Sequence, residues 1–60
     1  MNAVIKKQIE VLEEKYKCDK EALEEIGRAK ETIAYYESKN ELDKAQVHVN
    51  YLEGFLHDWY

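Results

Sequence analysis

Tyr16-Lys17-Cys18-Asp19-Lys20-Glu21 is the stretch on which the fold turns. Read as helix, it joins the apolar positions on either side into one seam, with Ile5, Ile9, Leu12 and Tyr16 before it and Leu23, Ile26 and Ile33 after it. The 4-3-4 spacing keeps its phase across the stretch, Asp19 and Lys30 filling two seam positions. A 3-4 rhythm held for about four heptads marks a helix packed along a long seam. Read as a break, the same stretch supplies Asp19 as an N-cap and Glu21 as a first-turn acid.

Outward from there, everything is helical in character. Proline is absent, glycine occurs only at Gly27 and Gly54, and no period-2 run or Asn-Gly turn suggests a strand. Ala, Leu, Glu, Lys, Gln and Arg, all strong helix formers, dominate. Asn2 suits an N-cap for the first helix. Ser38-Lys39-Asn40-Glu41 reads as a capping box opening another, with Asn40 as the alternative cap. Beyond it Leu42, Ala45, Val49, Leu52, Leu56 and Trp59 repeat 3-4-3-4-3, and Tyr51 and Phe55 widen the stripe. Glu41 and Asp43 at the start and His57 at the end suit the helix dipole.

Residues 1–60 are thus a single small all-α domain, and two architectures follow. In the favoured one a long helix over about residues 3–37 pairs with a second over about 40–59 as a hairpin. The first helix then overhangs by about 20 Å at 1.5 Å per residue. A second chain is expected to cover Ile5, Ile9 and Leu12, giving a homodimeric, coiled-coil-like helical bundle. In the alternative, a break near 17–19 lets the first helix fold back and close a three-helix bundle. Gly27 mildly weakens either long helix.

Charge and length exclude several functions. Nine Lys+Arg face thirteen Asp+Glu, a net charge of −4. Only residues 1–18 are net positive, and there Lys6, Lys7, Lys15 and Lys17 are interleaved with Glu10, Glu13 and Glu14. A nucleic-acid partner needs a dense basic face for counterion release, and an anionic membrane needs a basic amphipathic helix; neither is expected. No apolar run reaches membrane-spanning length and no secretory leader is legible. One cysteine precludes an internal disulfide framework. A cytoplasmic protein is expected.

Candidate chemistry is sparse. Glu53 with His57 and Asp58, and Glu14 with Cys18, are neighbours on helical spacing, but each offers too few ligands for a metal. His48 belongs at the edge of the last helix's stripe. Cys18 has basic neighbours Lys17 and Lys20 and no nearby histidine to activate it. No cofactor, metal or catalytic residue is expected, and sixty residues leave little room for a substrate pocket. The chain reads as something other than an enzyme.

The aromatic residues carry the functional expectation. Tyr51, Phe55, Trp59 and Tyr60 crowd the C-terminal helix, and Tyr36 follows Tyr35 just before the capping box. Tyr and Trp are favoured at interface hot spots because they cover large area at small entropic cost. Leu52, Leu56 and Trp59 fit the core seam, whereas Tyr51, Phe55 and Tyr60 exceed what a two-helix contact can bury. Adjacent Tyr35 and Tyr36 cannot both face one seam.

Two resemblances accompany this reading. The length and helical-hairpin pattern look like the plasmid copy-number RNA-binding helical hairpins. That family reads RNA through a basic and polar face, where this chain is acidic or mixed. Glu41-Leu42-Asp43-Lys44 is similar to the second-helix signature of the small sporulation aspartyl-phosphate phosphatases. That family has a serine two residues before the glutamate, where this chain has Lys39, with Ser38 one position out. The likeness implies a phosphorylated receiver domain as substrate, with Asp43 needed for activity.

The expected function is therefore that of a small protein-binding module. An inhibitor, anti-activator or adaptor, phage-encoded antagonists included, needs only one rigid helical face to occlude a site. Tyr51, Phe55, Trp59, Tyr60 and Tyr36 form the expected partner surface, the partner being another protein with a basic or apolar groove. Glu24, Glu25 and Glu31 would steer the encounter. The competing classes are a structural protein that only self-assembles and a phosphatase-like regulator of a phosphorelay.

Overall fold

The chain breaks at Cys18. The computed structural model describes residues 2–60 and places three helices in them, α1 (Ala3–Lys15), α2 (Lys20–Ser38) and α3 (Leu42–Trp59). Asn2 caps α1, its Oδ1 accepting the Ile5 N–H at 2.9 Å. The helix stops at Tyr16. The Asp19 N–H then donates to the Tyr16 carbonyl at 2.9 Å, closing a turn over Lys17 and Cys18. Asp19 caps α2, its side chain accepting the Ala22 N–H at 3.1 Å.

The continuous helix over 3–37 is thus replaced by the three-helix alternative, for a physical reason. Folding α1 back buries Ile5, Ile9 and Leu12, each contributing about 1.5–3 kcal/mol. The few helical hydrogen bonds given up, worth about 1 kcal/mol each net, are partly replaced by the turn and the cap. Heptad phase specifies which face is apolar; it does not require the backbone to stay helical between the apolar residues. Because those three side chains are covered within one chain, the overhang that called for a second chain is gone.

The second boundary also differs from expectation. Ser38 ends α2 instead of capping α3, and its hydroxyl donates to the Tyr35 carbonyl at 2.7 Å. The helix closes in a Schellman pattern: the Asn40 N–H reaches the Glu37 carbonyl at 3.0 Å and the Glu41 N–H reaches Tyr36 at 2.9 Å. That closure needs a left-handed residue between them, and Asn40 supplies it with φ 58°. α3 therefore begins at Leu42, behind Glu41, which makes no side-chain cap hydrogen bond.

The core comprises Ile5, Ile9, Leu12 and Tyr16 from α1, Ala22, Ile26, Ala29 and Ile33 from α2, and Ala45, Val49, Leu52 and Leu56 from α3. Leu23 and Leu42, expected in the seam, are exposed. The turn frees α2 to rotate so that Ala22 and Ala29 complete its inward stripe, leaving Leu23 on its flank. Leu42 is the first residue of α3, ahead of Ala45, where the buried stripe of that helix begins. α2 and α3 share the most extensive contact, which small Ala29 and Ala45 allow to be close. Across α1, Lys30 Nζ meets Glu13 Oε2 at 2.6 Å. Gln46 Nε2 donates to Gln8 Oε1 at 2.7 Å and to Asn50 Oδ1 at 3.1 Å.

Ile33→Ala should cost about 2–5 kcal/mol, most of what so small a core supplies, and urea titration by circular dichroism should find it largely unfolded. Gly27 and Gly54 sit mid-helix, and a methyl group added at either would meet nothing within 4 Å. Gly27→Ala and Gly54→Ala should each raise stability by about 0.8–1.0 kcal/mol in the same titration.

Candidate functional site

α3 has two unlike flanks. Gln46, Asn50, Glu53 and His57 turn toward α1, where Gln8 and Val11 meet them. The opposite flank, toward α2, is aromatic. Its spacing explains it: Val47, Tyr51, Phe55 and Trp59 recur every four residues, forming one ridge beside the buried Val49-Leu52-Leu56 stripe.

The rings form a ladder. Tyr35 and Tyr36 lie 5.8 Å apart, centroid to centroid, and Tyr36 meets His48 edge-on at 6.3 Å. His48 stacks on Tyr51 at 6.1 Å, and Tyr51 stacks on Phe55 at 6.1 Å. Phe55 then contacts Trp59 at 6.3 Å and Tyr60 at 6.4 Å. All the spacings fall in the range where ring quadrupoles favour offset or tilted pairs. Tyr36 and Phe55 are half-buried against the core. Tyr35 is 58% exposed, Tyr51 65%, Trp59 73% and Tyr60 42%.

Two open hollows flank the His48–Tyr51 pair. One, of about 200 Å³, lies between α2 and α3 over Ala29, Thr32 and Leu52. The other, of about 420 Å³, lies on the outer side among Tyr36, Lys44 and Val47. Arg28 and Glu25 form an ion pair at the edge of the first. Lys44 Nζ pairs with Glu41 Oε2 at 3.3 Å beside the second, and Lys39 Nζ stands 5.7 Å from the Tyr35 ring centre. Such a face is equipped for apolar, stacking and cation–π contact.

The structure brings Tyr36, Tyr51, Phe55, Trp59 and Tyr60 together on this one face. Trp59 does not join the core seam: the buried stripe of α3 ends at Leu56, and Trp59 stands in water. Tyr35, His48 and Val47 are additional members. The i,i+4 row from Val47 and the i,i+3 step from His48 to Tyr51 were the signals that could have found two of them. Of the three steering acids, Glu25 lies in the groove, while Glu24 and Glu31 are exposed on the back of α2. Cys18 is exposed in the α1–α2 turn. Asp43 is exposed in the first turn of α3, beside the Glu41–Lys44 pair. His57 Nδ1 lies 3.5 Å from Asp58 Oδ1. Among the described residues no three His, Cys, Asp or Glu side chains converge on a metal-sized site, and no helix is long and apolar enough to cross a membrane.

At the C-terminal end of the ladder the field is acidic. Loss of water around the ring, together with the carboxylates of Glu21, Glu25 and Asp19, raises the Tyr60 phenol above its ordinary value, opposed by Arg28. A phenol held protonated in this way contributes stability below the unfolded-chain value near pH 10. That contribution is lost as pH rises through the higher folded value. A ¹³C-tyrosine NMR titration should find Tyr60 ionising later than free tyrosine, with Glu21→Gln bringing it down.

No protein-family model matches the chain, and no curated protein or solved structure is significantly similar to it.

Proposed function

We propose that the chain is a protein-binding module that acts by occlusion, as an inhibitor, anti-activator or adaptor, through the aromatic ladder of α2 and α3. One observation carries the reading. Among the described residues the core closes with twelve buried side chains from a single chain, yet Tyr35, Tyr51, Trp59 and Tyr60 are left in water on one continuous face. Surplus aromatics arranged as a patch, rather than scattered, mark an interaction surface. The ridge Val47-Tyr51-Phe55-Trp59 suits docking into a groove on a larger partner, in the manner of helix-in-groove recognition. A second copy of the chain, where one binds, belongs on this same face and not over Ile5, Ile9 and Leu12.

Phe55 packs on the core, so its removal would confound binding with folding. Tyr51→Ala and Trp59→Ala are the cleaner tests. With the chain immobilised by its N-terminus in native lysate, the double variant should lose a captured target by about 30-fold or more, the scale of a hot-spot loss, while keeping full helicity. Unchanged capture of the same target by a fully helical variant would sink the proposal.

A further inference from the structure

The aromatic face is graded in charge along its length. α2 and α3 run antiparallel, so the start of α2 lies beside the end of α3. Glu21, Glu25 and Asp19 act on the Tyr60 phenol from there, opposed by Arg28, which pairs with Glu25. At the opposite end Lys39 stands over Tyr35, and Lys44, paired with Glu41, lines the hollow beside Tyr36 and Val47. Among the described residues the two lysines there outnumber the one carboxylate that meets them. The rings run between an acidic end and a basic end, and their middle is Tyr51. At 1.5 Å per residue, Lys44 lies about 10 Å before Tyr51 along α3 and Trp59 about 12 Å after it.

A face with excess positive charge at one end and excess negative charge at the other is complementary to itself under a two-fold rotation. We infer that, with no target bound, the chain covers this face with a second copy of itself about a two-fold axis beside Tyr51, Lys39 and Lys44 of each chain meeting Glu21 and Glu25 of the other. This rests on the preceding reading for the face it uses.

The area is adequate. At about 200 Å² per aromatic side chain, the exposed parts of Tyr35, Tyr51, Trp59 and Tyr60 present roughly 480 Å². A standard interface takes about 800 Å² from each partner. Val47, the outer sides of Tyr36 and His48, and the lysine stems bring the face close to that figure. The same rings serve both occupants, so self-association and target capture exclude one another, and the target must compete with the dimer.

Charge exchange tests the geometry on the full chain under reducing conditions. Sedimentation equilibrium should find a monomer–dimer equilibrium for the wild type. Lys44→Glu and Glu21→Lys should each weaken it about tenfold, because the two-fold repeats every substitution. Mixed in equal amounts, the two variants should associate as the wild type does, since each then meets its opposite. A wild type that stays monomeric up to about 1 mM, or variants whose mixture gains nothing, would overturn the two-fold dimer. Tyr51→Ala with Trp59→Ala should abolish the dimer, and a dimer that survives it would overturn the face. Should that double variant lose the dimer yet still capture the target, the target reading and the exclusion fall while the dimer stands.

Discussion

Asp19 accepts the Ala22 amide at the end of a one-turn break, and through that contact the chain reverses and brings α1 onto α2 and α3. Without the reversal, Ile5, Ile9 and Leu12 would stand in water. With it they are buried, and a sixty-residue chain closes a core by itself. An N-cap is worth only about 1 kcal/mol, so the cap does not drive the fold. It makes the reversal inexpensive enough for burial of three large side chains to decide the outcome.

The placement of α1 then gives α3 its asymmetry. α1 lies along the flank carrying Gln46 and Asn50, and Gln8 completes a three-membered polar contact there. The Lys30–Glu13 pair adds a second polar link from α1 to α2. Both are partly exposed and contribute little net stability, but they suit only one placement of α1 along its neighbours. The consequence is on the other side. No fourth helix covers the flank with Tyr51, Phe55 and Trp59, so rings that a larger bundle would bury are stacked on one another at the surface.

That surface is where core and function compete for the same residues. Tyr36 and Phe55 serve both, packing inward with one side and joining the ladder with the other. Alanines at 22, 29 and 45 let the helices approach closely enough for the core to close without the remaining rings. Economy in the interior thus frees aromatic area outside. The acids of the face stand at the start of α2 and Lys39 at its end, with Lys44 on α3, and these charges come to flank the rings of α3 only once α2 and α3 are paired.

Much of this was legible in the residues. Helical class, the inward stripe Ile5-Ile9-Leu12, the stripe Val49-Leu52-Leu56, the Asn2 cap and the concentration of rings near Tyr51 all follow from spacing and side-chain chemistry, which act locally. Asp19 as a cap was legible too, but only as one of two options, because an unbroken apolar phase is compatible with a helix that continues and with one that stops. Choosing between them requires the free energy of burying α1 against partners far along the chain. Rotation of Leu23 out of the seam, the left-handed turn at Asn40 and the joining of Tyr36 to the α3 ridge through His48 depend on that same long-range packing. Residue spacing by itself determined which side chains share a helix face; only the tertiary structure decided which faces meet, because burial is a property of pairs of helices and not of one.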